Sequence, residues 1–251
     1  SGGIDEYTRH AITKISNIHF APSQKSKNRI LKMGENPNYV FFTGSPGIDE
    51  VKHSKITDKK TLELKYNFKF SGNEILFLQH PVTTQVENTK NQITNSLKAI
   101  EIVNKPTIAV APNSDVGNDI IFKHLESFSK LHPSFMLFKS FPRCDYLGML
   151  KNCKVLVGNS SSGIIEASYF KIPVVDIGIR QNNREKGPNV FHTEGDSVIS
   201  IHSKLVKALK MKKEHLSTMS IYGNGNTSKN IVKYLETIKL NSMLIEKQIS
   251  Y

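Results

Sequence analysis

Short, uninterrupted apolar runs recur along the chain, and they limit its possible folds more than any other feature. None of them alternates apolar with polar residues. Because a strand that is apolar on both faces must be covered on both faces, these runs predict a parallel sheet with helices packed on either side. The runs lie at 75–78, 107–111, 135–138, 155–157 and 173–177.

Segments long enough for crossover helices separate these runs. Repetition of strand, helix and strand at this spacing predicts an α/β fold with a doubly wound sheet. The N-terminal residues show a similar pattern, with helices predicted over 5–16 and 23–33 and strands over 18–21 and 39–42. The crossover helices are expected at 87–103, 117–131, 143–152 and 162–170.

These patterns divide the chain into a pair of Rossmann-like domains. Residues 1–55 are interpreted as the C-terminal part of a first domain, incomplete in this chain because a doubly wound domain normally opens with a strand. A lysine-rich, weakly periodic stretch at 56–73 is interpreted as a linker region. Residues 74–226 form the second domain, and 227–251 form a C-terminal helix and tail whose helix Thr227 or Ser228 is expected to cap.

The composition argues against several classes of function. None of the apolar runs approaches the length of a membrane-spanning helix. The net charge is +12, but only five of the 34 basic residues are arginines and the lysines are scattered, which is untypical of a nucleic-acid-binding surface. A small anionic ligand is compatible with this charge.

The two cysteines fit neither a disulfide framework nor a zinc spacing, and no basic and apolar leader opens the chain. The sequence therefore predicts a cytoplasmic protein without a metal site. No GxGxxG motif is found, so no redox cofactor is expected.

The most informative stretch follows the apolar run at 155–157. Gly158 is expected to allow a tight turn and Gly163 to allow close approach of a ligand, while the serines at 160–162 precede and open a helix. Hydroxyls and backbone N–H groups at a helix start suit a phosphate or pyrophosphate, and Glu166 can accept the hydroxyls of a ribose. The alternative is a serine-capped helix whose Glu166 merely suits the helix dipole.

Three more candidates follow predicted strands at the edge where α/β proteins bind ligands. Arg180 lies in a loop after the run at 173–177 and suits a phosphate contact. The alternative is a charged loop that is simply exposed to solvent. His80 ends another run just before Pro81, and it is interpreted either as a ligand-facing acid or as a structural histidine. Asn113 follows the run at 107–111 and either contacts a base or sugar or forms an Asx-turn.

One carboxylate near the N-terminus is a further candidate. Asp5 pairs with Arg9 at helical spacing, which fits a capped helix with surface ion pairs. The same position also fits a catalytic carboxylate at a helix start, and spacing does not decide between the two.

Six ordered motifs resemble the UDP-N-acetylglucosamine 2-epimerase family, and most closely its hydrolysing branch, which feeds sialic and related nonulosonic acid pathways. The resemblance covers essentially the whole chain. The motifs are IDEYTRHAITKISNIHF (4–20), TGSPGIDE (43–50), LQHPVT (78–83), APNSDVGN (111–118), GNSSSGIIEASYFKIPVVDIGIRQNNREKGPNV (158–190) and IYGNGN (221–226).

The resemblance implies a GT-B fold, in which two Rossmann-like domains face each other and residues 74–226 bind UDP. It implies UDP-binding roles for Asn113, Ser160, Ser161, Glu166 and Arg180, with the serines at the diphosphate and Glu166 at the ribose. It also implies catalytic roles for two residues, with His80 beside the pyrophosphate and Asp5 as an acid/base carboxylate.

The implied reaction converts UDP-N-acetylglucosamine and water to N-acetylmannosamine and UDP. UDP leaves by elimination, and hydration of a glycal-type intermediate gives the 2-epimeric free sugar. This chemistry requires a positioned base that removes the C2 proton, and groups that stabilise the charge on the departing UDP. The family resemblance also suggests a homo-oligomer.

The family pattern includes a His-x-Glu-Gly-Gly segment and an earlier Asp that precede the region matching Ser1. This chain is therefore expected to be a fragment that binds UDP but is inactive alone. Three alternatives stay open: a GT-B glycosyltransferase, a non-catalytic UDP-sugar-binding module, and an epimerase of a UDP-linked diacetamido-trideoxyhexose.

Overall fold

The computed structural model describes residues 5–212, 214, 216 and 220–249, and for Asp5 the backbone alone. By their internal contacts the described residues divide into two compact units, one between residues 55 and 216 and one of residues 5–54 together with 220–249. No helix within the described ranges is both long and apolar enough to cross a bilayer.

The helices and strands of the described residues follow in chain order. They are α1 (Asp5–Ile15), β1 (His19–Ala21), α2 (Gln24–Lys32), β2 (Val40–Phe42), α3 (Pro46–His53), α4 (Lys59–Tyr66), β3 (Ile75–Leu78), α5 (Thr89–Val103), β4 (Thr107–Val110), α6 (Asn118–Leu131), β5 (Phe135–Phe138), α7 (Arg143–Asn152), β6 (Val155–Gly158), α8 (Ser161–Ile164), α9 (Glu166–Tyr169), β7 (Val174–Ile177), β8 (Val190–Thr193), α10 (Val198–Lys210), α11 (Thr227–Thr237) and α12 (Ser242–Ile245). Short 3₁₀ helices lie at Pro37–Tyr39, Val86–Asn88 and Ile179–Gln181.

The larger unit contains a six-stranded sheet in the order β5-β4-β3-β6-β7-β8, and every strand pair in it is parallel. Numbered within the unit, this is the order 3-2-1-4-5-6 of a doubly wound nucleotide-binding fold. One core cluster covers each face of the sheet: Phe77 belongs to the first and Leu76, its neighbour in β3, to the second. The predicted α/β class with a parallel sheet is confirmed.

The sixth strand, β8, was not predicted from the sequence. Val190 to Thr193 pairs with β7 at the edge of the sheet, and three of its four residues are only partly buried. Val190 and Phe191 pack against the two core clusters, but His192 and Thr193 are polar, so β8 lacks the continuous apolar run that marks the five other strands.

The predicted linker at 56–73 differs from the structure. Residues 59–66 form α4, whose Leu62 is fully buried in the core of the larger unit. Asp145 on α7 accepts hydrogen bonds from Thr57 (2.5 Å), Lys65 (2.6 Å) and Tyr66 (2.6 Å), which ties this segment to the sheet-bearing unit. The helix was not predicted because its sequence is rich in lysine and Leu62 is its one buried residue.

The smaller unit contains β1 and β2, which pair in parallel, and its helices. Residues 220–226 belong here and not to the second domain, since the Ser45 N–H donates to the Tyr222 carbonyl (2.8 Å). Neither Thr227 nor Ser228 caps α11: the Asp49 carboxylate of α3 accepts from the N–H groups of both, each at 2.7 Å.

Candidate functional site

The strand order of the larger sheet reverses between β3 and β6. These strands are adjacent, with Ile75 opposite Val155 and Leu78 opposite Gly158. In open α/β sheets ligands bind beyond the carboxyl ends of the strands at such a switch point. The residues that follow β3 and β6 are therefore the primary candidates for a ligand site.

Gly158 allows the two strands to approach each other at this point. Its φ is +134°, and a Cβ on it would lie 2.0 Å from the Leu78 carbonyl oxygen. Any side chain would therefore push β6 away from β3 and open the site. Gly163 has a different role from the one expected: a Cβ there would meet Val174 at 2.8 Å, so it serves helix packing against the sheet and not ligand approach.

Asn159 joins the ends of the two strands. The His80 backbone N–H donates to Asn159 Oδ1 (2.7 Å), and Asn159 Nδ2 donates back to the His80 carbonyl (2.8 Å). The Asn159 carbonyl accepts from Gln181 Nε2 (2.9 Å) and Arg180 Nη1 (3.3 Å). Asn159, itself buried, thus fixes the histidine and the arginine on one edge of the sheet.

The His80 ring has a defined tautomer. Its Nδ1 accepts from the Asn113 backbone N–H at 3.0 Å, so the neutral ring carries its proton on Nε2. Burial, with the neighbouring Arg180 charge, lowers the pKa of His80 from 6.5 to about 4. At neutral pH the ring is therefore an N–H donor and not an imidazolium.

Arg180 supplies the positive charge at this edge. Its Nη2 lies 3.9 Å from Asp115 Oδ2, and Asp115 also accepts from Asn113 Nδ2 at 2.6 Å. The guanidinium side chain is 27% exposed, which leaves it accessible to an anion. His80, Asn113 and Arg180, which follow three different strands, are thus brought together.

The serine-rich turn after β6 forms a second part of the site. Ser160 is the N-cap of α8, and its Oγ accepts from the Ser162 N–H at 3.3 Å. Ser161 opens α8, which ends at Ile164, and a single residue, Ile165, separates it from α9. The single helix expected from the sequence over 162–170 is therefore two short turns.

Both carboxylate oxygens of Glu166 have partners within the chain. Arg143 Nη2 donates to Oε1 and Ser162 Oγ donates to Oε2, each at 2.6 Å. The Tyr146 hydroxyl donates in turn to Ser162 Oγ at 2.7 Å. Ser162 is consequently not one of three open hydroxyls, since its oxygen is committed to Tyr146 and Glu166.

The family of the chain is identified by comparison with known proteins. The family model described as UDP-N-acetylglucosamine 2-epimerase matches residues 1–236. The chain belongs to this family. The resemblance found from the six sequence motifs is thereby confirmed, and relatives named as hydrolysing enzymes confirm the hydrolysing branch.

Two curated relatives and one solved structure illustrate the family. The chain is 36% identical over its full length to the UDP-N,N'-diacetylbacillosamine 2-epimerase (hydrolyzing) of Legionella pneumophila, of which it covers 66%. Over 81% of its length it is 33% identical to the GDP/UDP-N,N'-diacetylbacillosamine 2-epimerase (hydrolyzing) of Campylobacter jejuni, of which it covers 54%. The UDP-GlcNAc 2-epimerase of Neisseria meningitidis, solved bound to UDP-GlcNAc, matches with a TM-score of 0.73 at 20% identity, over 90% of this chain and 63% of that one.

The solved structure shows that the chain has the GT-B-like α/β fold of the family. The chain spans less than two thirds of the length of each of these three proteins. Activity, substrate and partners of the whole protein are therefore matters of proposal.

Some residues of the candidate site were predicted from the sequence, and others were not. Asp5 begins α1, but its side chain lies outside the described part of the chain. Asn159 was missed as an organising residue, although its place directly after Gly158 was a usable signal. Arg143 and Tyr146 were assigned only to a crossover helix, and nothing in their spacing connects them with Glu166.

Proposed function

We propose that this protein is a hydrolysing UDP-N-acetylglucosamine 2-epimerase whose UDP site lies at the switch point between β3 and β6. The observation that carries the proposal is the convergence there of His80, Asn113 and Arg180, beside the turn that bears Glu166. A neutral N–H donor, a guanidinium and a serine-capped turn together suit a diphosphate.

The parts of UDP are assigned to different residues. Ser160 and Ser161 are proposed to donate to the diphosphate from the turn after β6. Glu166 is proposed to accept the ribose hydroxyls, since each carboxylate oxygen keeps a second acceptor position beside its present partner. Asn113 and Arg180 are proposed to line the same pocket.

His80 is proposed to stabilise the departing diphosphate as a hydrogen-bond donor. Its Nδ1 already accepts a hydrogen bond from the Asn113 N–H. The Nε2–H group is therefore the part of the ring that can donate a hydrogen bond to a ligand. Because its pKa lies at about 4, charge stabilisation falls to Arg180 and proton transfer to another group. Asp5 is proposed as an acid/base carboxylate, on the strength of the family resemblance alone.

The sugar is the less defined half of the proposed substrate. The two curated relatives described above are named for diacetylbacillosamine, whereas the solved relative is named for UDP-GlcNAc. Parallel assays of UDP-GlcNAc and UDP-N,N'-diacetylbacillosamine will assign the substrate, with release of the free 2-epimer as the readout. A transferase would instead pass the sugar to an acceptor, and a binding module would leave it unchanged.

The experiment that tests the proposal is a calorimetric titration of UDP into the 251-residue chain. Saturable binding that Glu166→Ala and Ser161→Ala each weaken by about tenfold or more supports the site. Tyr169→Phe, on α9 but 37% exposed, is the matched control and is expected to bind UDP normally. Absence of UDP binding by folded protein, monitored by circular dichroism, contradicts the proposal.

Turnover is a separate measurement. We infer that the 251 residues bind UDP without converting substrate, because the family members that the chain matches are longer. Free epimer formed by this polypeptide would overturn that inference.

A homo-oligomer is also proposed, and light scattering tests it. A cytoplasmic location is proposed because Cys144 and Cys153 are both free thiols.

A further inference from the structure

The helix α7 approaches the Glu166 carboxylate from one side. Arg143 and Tyr146 are three residues apart, so they share a helix face, and both point to the turn after β6. Together with Ser162 they form a continuous chain of hydrogen bonds that ends on Glu166. We call Tyr146, Ser162 and Glu166 the carboxylate relay.

The direction of the relay is fixed. Burial, with the nearby Glu166 charge, raises the pKa of Tyr146 above its usual value, so its hydroxyl keeps its proton and must donate it. Ser162 Oγ accepts this bond at 2.7 Å, and its own proton is directed to Glu166 Oε2 at 2.6 Å. A serine without the tyrosine would be free to rotate and to donate elsewhere.

The relay determines how Glu166 is oriented. Oε1 is held by Arg143 and Oε2 by Ser162, so rotation of the carboxylate breaks a bond at both ends. A carboxylate plane held in one orientation can accept two neighbouring hydroxyls at once, whereas a rotating one accepts them one at a time. The two hydroxyls of a ribose are such a pair.

We propose that Tyr146 is a positioning residue which, through Ser162, orients Glu166 so that the site discriminates a ribonucleoside diphosphate from its 2'-deoxy counterpart. This rests on the proposed function, because it takes Glu166 as the ribose contact. It adds a specificity-determining residue that touches no part of the ligand.

The test compares UDP with 2'-deoxy-UDP by calorimetry on the full chain. The wild-type protein is expected to prefer UDP by about tenfold, because 2'-deoxy-UDP lacks one hydroxyl bond to a carboxylate. Tyr146→Phe and Ser162→Ala are each expected to reduce this preference by about threefold or more. The double variant is expected to lose no more than the worse single variant, since both substitutions break one relay. Tyr169→Phe is expected to retain the wild-type preference.

The outcomes separate this inference from the proposed function. Equal losses of affinity for the two nucleotides in Tyr146→Phe would show a general structural role and overturn the inference while UDP binding stands. No UDP binding by the wild-type chain would overturn both. Should Tyr146→Phe fail to fold, Ser162→Ala tests the same link, and an unchanged preference in it refutes the relay.

Discussion

The sharpest prediction concerns His80 and the pH dependence of stability. In the folded protein its pKa lies at about 4, against 6.5 when unperturbed, because burial and the Arg180 charge disfavour the imidazolium. As pH falls from 6.5 towards 4, His80 becomes protonated in the unfolded chain but stays neutral in the folded chain. Stability therefore falls over this window, by up to about 3 kcal/mol.

His80→Gln removes this titration. At pH 7 the variant is expected to be less stable than wild type by about 1 kcal/mol, through the altered bond with the Asn113 N–H. Because only wild type has the His80 titration, the difference should shrink and then reverse as pH approaches 4. Urea unfolding of both proteins at pH 7, 5.5 and 4 measures it, and the other titrating groups cancel in the comparison.

Nuclear magnetic resonance of the imidazole rings provides an independent measurement. We expect the His80 ring to be neutral at pH 6 with its proton on Nε2. Arg180→Gln should raise the His80 pKa only part of the way to 6.5, since burial is the larger cause. A His80 pKa near 6.5 in the folded wild type, or parallel stability profiles for wild type and His80→Gln, would refute the reasoning.

Three further substitutions test the framework of the site. Gly158→Ala should lower the free energy of unfolding by more than about 3 kcal/mol, since its Cβ would lie 2.0 Å from the Leu78 carbonyl oxygen. Gly72→Ala, with open space around the added Cβ, should lower it by about 1 kcal/mol. Urea unfolding of the two variants compares these costs. Hydrogen bonds from Lys65 and its neighbours lower the pKa of Asp145 to about 2, so Asp145→Asn should lower the free energy of unfolding by about 2 kcal/mol at pH 7. This loss should disappear as pH falls to 2, and equal losses at pH 7 and pH 2 would contradict the reasoning. Asp49→Ala should cost about 2 kcal/mol by leaving the start of α11 uncapped, seen as a lower melting temperature.

The parallel sheet could be predicted because burial on both faces leaves a direct record in sequence. Five of the six strands in the larger unit carry continuous apolar runs, and these runs fixed their positions within a residue or so. The edge strand at Val190–Thr193 ends in two polar residues, and the helix at Lys59–Tyr66 is rich in lysine and buries only Leu62. Neither carries a continuous apolar run, so neither was predicted. The cap of α11 could not be predicted at all, because Asp49 is far away along the chain.

The site divides in the same way. Residues that directly follow a strand, such as His80, Asn113 and Arg180, could be predicted because parallel strands end at a common edge. Contacts between elements could not be predicted, since nothing local in the sequence connects Arg143 with Glu166. The diphosphate role of Ser160 and Ser161 stays a prediction, while the structure shows that Ser160 caps α8 and that Ser162 donates to Glu166.

A common principle explains why these side chains already have partners within the chain. A carboxylate and a guanidinium on one sheet edge would each be costly if left half-buried and unpaired. Glu166 is paired with Arg143, and Arg180 lies beside Asp115 and donates to the Asn159 carbonyl. A diphosphate and a ribose would therefore form hydrogen bonds in addition to the existing ones, or would replace some of them. They would not bind to isolated charges. The affinity of such a site depends on how rigidly the partners hold its groups, which is why residues that never touch the ligand can control its selectivity.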